Sequence, residues 1–257
     1  MCALESPGAA VAKSPPGRYN GSMTRREPIM VKTIFFDLDN TLLDFDRAEA
    51  AALGRALTEA GAPAEKAVLE RYHEINRRQW ELLEDGVLTR EQVLVGRFAL
   101  LFEELGLTLD PAQTCERYET YLGQGHWFIP GAPELLETLF PRYDLYLASN
   151  GAASVQYSRL KSADLVRWFK GIFISQELGA DKPRREFFDR AFASIPGFSR
   201  ETALMVGDSL TSDIRGGRNA GIRTCWFSRG GAAPRQDIRP DYTITDLAQL
   251  PPLLETL

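Results

Sequence analysis

Three observations predict an α/β fold: a parallel sheet with helices on both faces and an all-helical insertion after its first strand. Short apolar runs alternate with helical ones through the second half of the 257-residue chain, the pattern of a sheet built from strand–helix units. A single such run near the start, residues 31–36, is followed by a long stretch of helical periodicity. Polar clusters stand at or just beyond four of the apolar runs, where an open parallel sheet binds its ligands.

The stretch to about residue 30 is rich in Ala, Gly, Pro and Ser and has no apolar signal segment. It reads as a disordered tail, with Met23 and Met30 as alternative starts. Residues 31–36 are apolar, β-branched and aromatic and end at an acidic turn, so a buried strand is expected there. From about 47 to 122 the period is helical. In the second helix Val68, Tyr72, Ile75, Gln79 and Leu82 recur at alternating steps of four and three. Thr89-Arg90-Glu91-Gln92 is a capping box that opens a third helix with the apolar face Val93, Phe98, Leu101, Phe102 and Leu105. Pro111 starts a fourth. After Pro130-Gly131-Ala132-Pro133 a Leu-rich helix over 134–140 leads into a strand at 145–148. Further strands are expected at 171–175, 203–206, 222–227 and 242–244. The chain then divides into a tail (1–30), an α/β core (31–45 and 129–257) and a helical cap (46–128).

A formal net charge of −5 offers no electrostatic reason to expect nucleic acid or an anionic membrane as a partner. A phosphorylated small molecule would have to be attracted by a local site. Cys2, Cys115 and Cys225 suggest neither a disulfide framework nor a zinc spacing, so a reducing cytoplasm is the expected compartment. No apolar run approaches the roughly 20 residues that span a bilayer. Monomer and dimer both stay open.

The polar clusters are Asp37 and Asp39 after the first strand, Ser149-Asn150-Gly151 after the second, Lys182 beyond the third, and Asp208 with Asp213 after the fourth. Several carboxylates in one crevice repel one another unless a hard cation binds among them. Magnesium favours oxygen ligands and needs only one or two carboxylates, so Asp37 and Asp208 are expected to offer side-chain oxygens and Asp39 its backbone carbonyl. Asp37 suits a nucleophile that forms an aspartyl-phosphate. Asp39 suits a general acid and base. The Ser149 hydroxyl and the backbone N–H groups around Asn150 and Gly151 suit phosphate oxygens. Lys182 supplies positive charge, and Asp213 is expected behind it, holding Lys182 or a metal-bound water.

These segments resemble the haloacid dehalogenase superfamily. Asp37-Leu38-Asp39-Asn40-Thr41-Leu42 looks like its first motif, Ser149-Asn150-Gly151 its second, Asp181-Lys182-Pro183 its third, and Gly207-Asp208-Ser209-Leu210-Thr211-Ser212-Asp213 its fourth. The resemblance implies a Rossmann-like three-layer core, with the first acid as nucleophile and the second as general acid/base. About 110 residues separate Asp37 from Ser149, room for a small helical cap, and the gap to Lys182 is too short for a second one. Asp39 argues against the dehalogenase branch, which lacks this acid.

More narrowly, the chain resembles the YjjG-type pyrimidine 5′-nucleotidases. The resembling stretches are Gly96-Arg97-Phe98, Ser149-Asn150-Gly151, Ile174-Ser175-Gln176-Glu177-Leu178-Gly179, Asp213-Ile214-Arg215-Gly216-Gly217, Asn219-Ala220-Gly221 and Thr224-Cys225-Trp226. That resemblance implies a magnesium-dependent phosphatase of pyrimidine nucleoside monophosphates. A sugar-phosphate phosphatase or phosphomutase of the same superfamily, and a phosphate-binding regulatory protein without turnover, are the competing readings.

Outside the motifs the bland roles lead. Asp44 and Asp46 suit a turn and a helix N-cap better than metal ligands. Trp80, Trp127 and Phe128 suit core packing better than stacking on a base. Arg77, Arg78 and Arg97 suit solvated helix faces. His73 and His126 have no evident partner.

Overall fold

The computed structural model describes residues 30–231 and 237–257; the expected tail, apart from Met30, lies outside them, and Cys2 with it. Six strands form one parallel sheet in the order β3-β2-β1-β4-β5-β6. They are β1 (Thr33–Phe36), β2 (Asp144–Ser149), β3 (Gly171–Ile174), β4 (Ala203–Gly207), β5 (Arg223–Phe227) and β6 (Tyr242–Ile244). β1 is central, pairing Phe36 with Leu147 of β2 on one side and Val206 of β4 on the other. All four of its residues are buried, as a strand covered on both faces requires.

Side-chain alternation along the strands divides the core into two layers. Ile34, Phe36, Leu145, Leu147, Leu204 and Val206 face one way. There they pack against Leu135, Leu136 and Leu139 of α5 (Ala132–Leu139) and Leu250 and Leu254 of α10 (Leu250–Leu254). Phe35, Tyr146 and Met205 face the other way, onto Phe187, Phe188 and Phe192 of α8 (Arg185–Ala193). The remaining crossovers carry α6 (Ala153–Ser162), α7 (Ser175–Leu178) and α9 (Arg215–Ala220). Three layers around a parallel sheet are the Rossmann-like arrangement expected from the sequence.

Between β1 and α5 lie α1 (Phe45–Ala60), α2 (Lys66–Glu84), α3 (Arg90–Glu104) and α4 (Pro111–Leu122). Asp44 caps α1 by accepting from the Arg47 N–H at 3.1 Å. Both halves of the Thr89–Gln92 capping box are present. The four helices bury a centre of their own around Leu53, Leu57, Tyr72, Phe98, Leu101 and Tyr118. One expectation fails here: Gln79 and Leu82 are not among the buried residues of α2, which are Val68, Tyr72, Ile75, Asn76 and Leu83. The inner face turns toward Asn76 because that amide is bonded inside the bundle, donating to Glu49 and accepting from Arg97.

The insertion leaves and rejoins the sheet side by side. Leu43 and Phe128 form an antiparallel bridge. The Asp44 N–H donates to the Trp127 carbonyl at 2.8 Å, and the Ile129 N–H to the Leu42 carbonyl at 2.9 Å.

Candidate active site

Asp37 directly follows β1, its backbone N–H donating to the Val206 carbonyl at 2.9 Å. Lys182, in the loop beyond β3 and α7, is almost fully enclosed at 1% exposure. Its ammonium has three donors and three acceptors: Asp37 Oδ1 at 2.8 Å, Asp213 Oδ1 at 2.6 Å and the Ala148 carbonyl at 2.7 Å. Asp213 is completely buried, and its second oxygen accepts from the Ser209 N–H at 3.0 Å. It sits on one wide helical turn, Leu210–Ile214, where the Ile214 N–H reaches back five residues to the Ser209 carbonyl. The Asp213 carboxylate lies across Gly207, at the end of β4, so closely that a β-carbon at Gly207 would collide with it.

Thr41 joins the two outer acids. Its hydroxyl donates to Asp37 Oδ2 at 3.4 Å and accepts from the Asp208 N–H at 3.1 Å. The Asp208 carbonyl accepts from the Trp226 indole at 2.7 Å. On the other flank, Asn150 clasps the backbone of Lys182 with both ends of its amide, Nδ2 donating to the Lys182 carbonyl at 2.8 Å and Oδ1 accepting from its N–H at 2.9 Å. The Gly151 N–H donates to Ser149 Oγ at 3.1 Å, and the Gln156 amide donates to the same oxygen at 2.7 Å. Ser149 Oγ thus accepts twice and retains its own proton to donate.

Asp39 has both oxygens engaged, one paired with Arg159 and the other accepting from Gln156 Nε2 at 2.7 Å. Arg159 is fully buried and also donates from Nε to the Gly125 carbonyl at 2.8 Å.

The electrostatics are unbalanced toward negative charge. Burial pushes the Asp37 carboxyl up from 3.8 to about 7; Lys182 opposes this, and the Asp213 and Asp39 carboxylates add to it. Burial likewise raises Asp208 well above the usual carboxylate range, with Asp37 and Asp213 contributing. Burial disfavours the charged Lys182, but Asp213 and Asp37 outweigh it and hold the ammonium protonated. Oxygens of Asp37, Asp208 and Asp213 lie within 4.8 Å of one another. Three carboxylates against the single Lys182 ammonium are short of positive charge, and oxygen donors of this kind fit a hard divalent cation. Asp213 has both oxygens in close bonds, to Lys182 at 2.6 Å and Ser209 at 3.0 Å, whereas Asp37 Oδ2 has only the long 3.4 Å contact with Thr41, so Asp37 and Asp208 are the carboxylates freer to hold it.

Above this cluster opens a cavity of about 430 Å³ whose far wall is the insertion. Asp37, Asp39, Asn150, Gly151, Lys182, Asp208 and Asp213 all line it, whereas Ser149 does not. Of the insertion's aromatics, Phe45, which opens α1, and Trp80 line the cavity. Trp127 instead stacks with Arg47, 4.7 Å from the ring centre, and Phe128 packs on the sheet core. Arg78 is exposed and paired with Glu81, while Arg77 and Arg97 line the cavity. Arg97 is no solvated face residue: it is buried, donates to Asn76 Oδ1 at 3.0 Å and lies 4.8 Å from the Tyr118 ring centre. His73 bonds Glu49 at 2.6 Å, a contact that raises its affinity for a proton. Glu84, closing α2, turns into the cavity with Oε2 unpartnered among the described residues. Burial, offset in part by Thr211, pushes its carboxyl up to about 7.

Sequence reasoning missed Thr41, Gln156, Arg159, Arg90 and Glu84. For Gln156 and Arg159 a signal existed: both fall on the buried stripe of α6 with Val155 and Leu160. A charged residue on such a stripe needs a buried partner.

A family description for haloacid dehalogenase-like hydrolases matches residues 31–221. The HAD-hydrolase YfnB of Bacillus subtilis is 39% identical over 219 residues, 85% of this chain and 93% of YfnB. Its magnesium-bound crystal structure, which reveals interdomain movement, aligns with a TM-score of 0.84 over 88% of this chain and 99% of that one. PynA of Streptococcus pneumoniae, a pyrimidine 5′-nucleotidase, is 40% identical over 214 residues, 83% of this chain and 90% of PynA. YjjG of Escherichia coli, also a pyrimidine 5′-nucleotidase, is 31% identical over 221 residues, 86% of this chain and 96% of YjjG. With the motif residues gathered at the strand ends and these relatives aligned along nearly their full lengths, the chain belongs to the haloacid dehalogenase-like hydrolase family.

Proposed function

We propose that this protein is a magnesium-dependent phosphomonoesterase that takes the phosphoryl group onto Asp37, acting on nucleoside monophosphates and chiefly on pyrimidine ones. The observation that carries the reaction is the meeting of Asp37, Lys182, Asp208 and Asp213 beneath one cavity. The substrate class is supported by the activities after which PynA and YjjG are named.

An Asp37 oxygen attacks phosphorus; the bond to the ester oxygen breaks, and that oxygen leaves with a proton from Asp39. Water then attacks the aspartyl-phosphate, returns a proton to Asp39, and frees Asp37 and inorganic phosphate. Lys182 steadies Asp37 and the phosphate oxygens. The loop through Asn150 and Gly151, held from behind by the Ser149 hydroxyl, flanks the phosphate. Asp39 is aimed by Arg159 and Gln156. Asp37, Asp208 and the Asp39 carbonyl would hold magnesium, which supplies the positive charge that lets a carboxylate approach a phosphate dianion. The helical insertion supplies the substrate wall of the cavity, and the chain from about 46 to 128 acts as its cap. Cys115 and Cys225 are buried free thiols, which fits a cytoplasmic protein. Among the described residues no helix is long and apolar enough to cross a membrane.

The test is phosphate release from UMP, dUMP, dTMP, purine nucleotides and sugar phosphates, compared by kcat/KM. Pyrimidine nucleotides are expected to lead, EDTA to abolish turnover, and Asp37→Asn to lose it by orders of magnitude while staying folded. Turnover that survives EDTA, or survives in Asp37→Asn, sinks the mechanism. A sugar phosphate at the head of the ranking, or its interconversion without phosphate release, replaces the substrate assignment.

A further inference from the structure

Arg90 belongs to the insertion, as the first residue of α3, but its guanidinium ends among the loops of the core. Nη1 donates to the Asn150 carbonyl at 2.7 Å. Nη2 donates to Ser175 Oγ at 2.5 Å and pairs with the Asp181 carboxylate. The two loops it touches are the ones that Asn150 already clasps together through the backbone of Lys182. Asp181 immediately precedes Lys182, and the Asn150 carbonyl shares a peptide unit with the Gly151 N–H. That unit is planar, so a donor fixed on the carbonyl also fixes the direction of the N–H, which in this structure donates to Ser149 Oγ at 3.1 Å. The planar fork of a guanidinium suits several acceptors at once, which a lysine's point charge does not. The Trp80 ring, 5.4 Å away, covers the group, and the side chain is 15% exposed.

We propose that Arg90 is a positioning residue: when the insertion is seated, its guanidinium sets the Asn150–Gly151 peptide and Lys182 in the geometry that receives a phosphate. The proposal rests on reading those groups as the phosphate cradle. It explains why an insertion that otherwise forms the substrate wall sends one cation past the cavity to loops shared by every phosphoryl substrate. The coupling is to the reaction itself rather than to the leaving group.

The experiment compares wild type, Arg90→Ala and Arg90→Lys in magnesium, using UMP and the small substrate p-nitrophenyl phosphate. Inhibition by inorganic phosphate and the thermal midpoint are measured alongside. Position N1 of a capped helix tolerates Ala, but the variant leaves Asp181 without its partner, so the midpoint should fall and kcat is compared at a temperature where circular dichroism shows every variant fully folded. Because misplacing reacting groups by about 1 Å costs on the order of 100-fold, Arg90→Ala should lose about 10- to 100-fold in kcat on both substrates. Inhibition by phosphate should weaken in parallel, Arg90→Lys should fall between, and added guanidinium ion should restore part of the loss. Unchanged kcat on both substrates overturns the proposal. So does a loss confined to the KM for UMP with phosphate inhibition intact, since Arg90 would then only shape the substrate wall. A wild-type protein that hydrolyses neither substrate overturns the phosphatase reading and this proposal with it.

Discussion

Replacing Asp37 with Asn separates the charge of the acidic cluster from its chemistry. In the folded chain burial lifts this carboxyl from 3.8 to about 7. At about 1.4 kcal/mol per pH unit, that rise corresponds to about 4 kcal/mol. This is an upper bound on what the metal-free fold loses by ionising Asp37. The unfolded chain releases the proton near 3.8 and the folded chain near 7, so between those values the unfolded state binds fewer protons. Stability of the metal-free protein therefore falls as pH rises through that window and levels off above it. Asn stays neutral and its oxygen can still accept from Lys182, which keeps Asp213 and the Ala148 carbonyl as partners. Without metal, Asp37→Asn should gain on wild type from about pH 5 to about pH 8, by at most about 3 kcal/mol, the share of the window that lies above pH 5. Magnesium should stabilise wild type more than the variant, because ligands stabilise by mass action only where they bind. Urea denaturation followed by circular dichroism, at both pH values and with EDTA or magnesium, gives the four comparisons. A metal-free variant less stable than wild type at the higher pH would refute the argument that the cluster lacks a positive charge.

Four further outcomes follow from the same geometry. Lys182→Met should lose turnover and about 3–5 kcal/mol of stability by leaving Asp213 and Asp37 buried without a cation. Adding Asp213→Asn should recover stability without activity, read by denaturation and phosphate release. Gly207→Ala should cost about 1–3 kcal/mol and most of the activity, because the new methyl displaces the Asp213 carboxylate; an active, stable variant contradicts that packing. Asp39→Asn should lower kcat by about 10²- to 10⁴-fold by removing the proton donor, and pre-steady-state phosphate release locates the slowed step.

The parts of this fold written in short stretches of chain were legible before any coordinates. β1 and its acidic end are a local pattern, and so is the Thr89–Gln92 box, whose partners are three residues apart. Polar residues turned inward were not. Asn76 lies inside the insertion because Glu49 and Arg97 meet it there, and these are 27 and 21 residues away. Spacing alone therefore continues the inner face of α2 from Ile75 to Gln79 and Leu82, where the structure has Asn76 and Leu83. Asp39 was legible as an acid, but its partners Gln156 and Arg159 lie 117 and 120 residues on. Arg90 carried the same handicap: read locally it is only the second residue of a capping box, and its role depends on loops 60 and 91 residues further along. What short-range pattern conveys is where the strand ends are; which buried polar groups they meet is decided by the sheet order.

The paired crossing at Leu43 and Phe128 gives the molecule one further property. Both connections of the insertion pass through a single narrow ladder, so the helices are attached to the sheet as a graft is, at one joint. On the proposed function, the sheet side of that joint fixes which bond is broken, and the helices beyond it fix what the bond is broken from. A lineage could exchange the graft, or redraw its inner surface residue by residue, without reopening the register of any strand, provided that one arginine kept its reach into the stock.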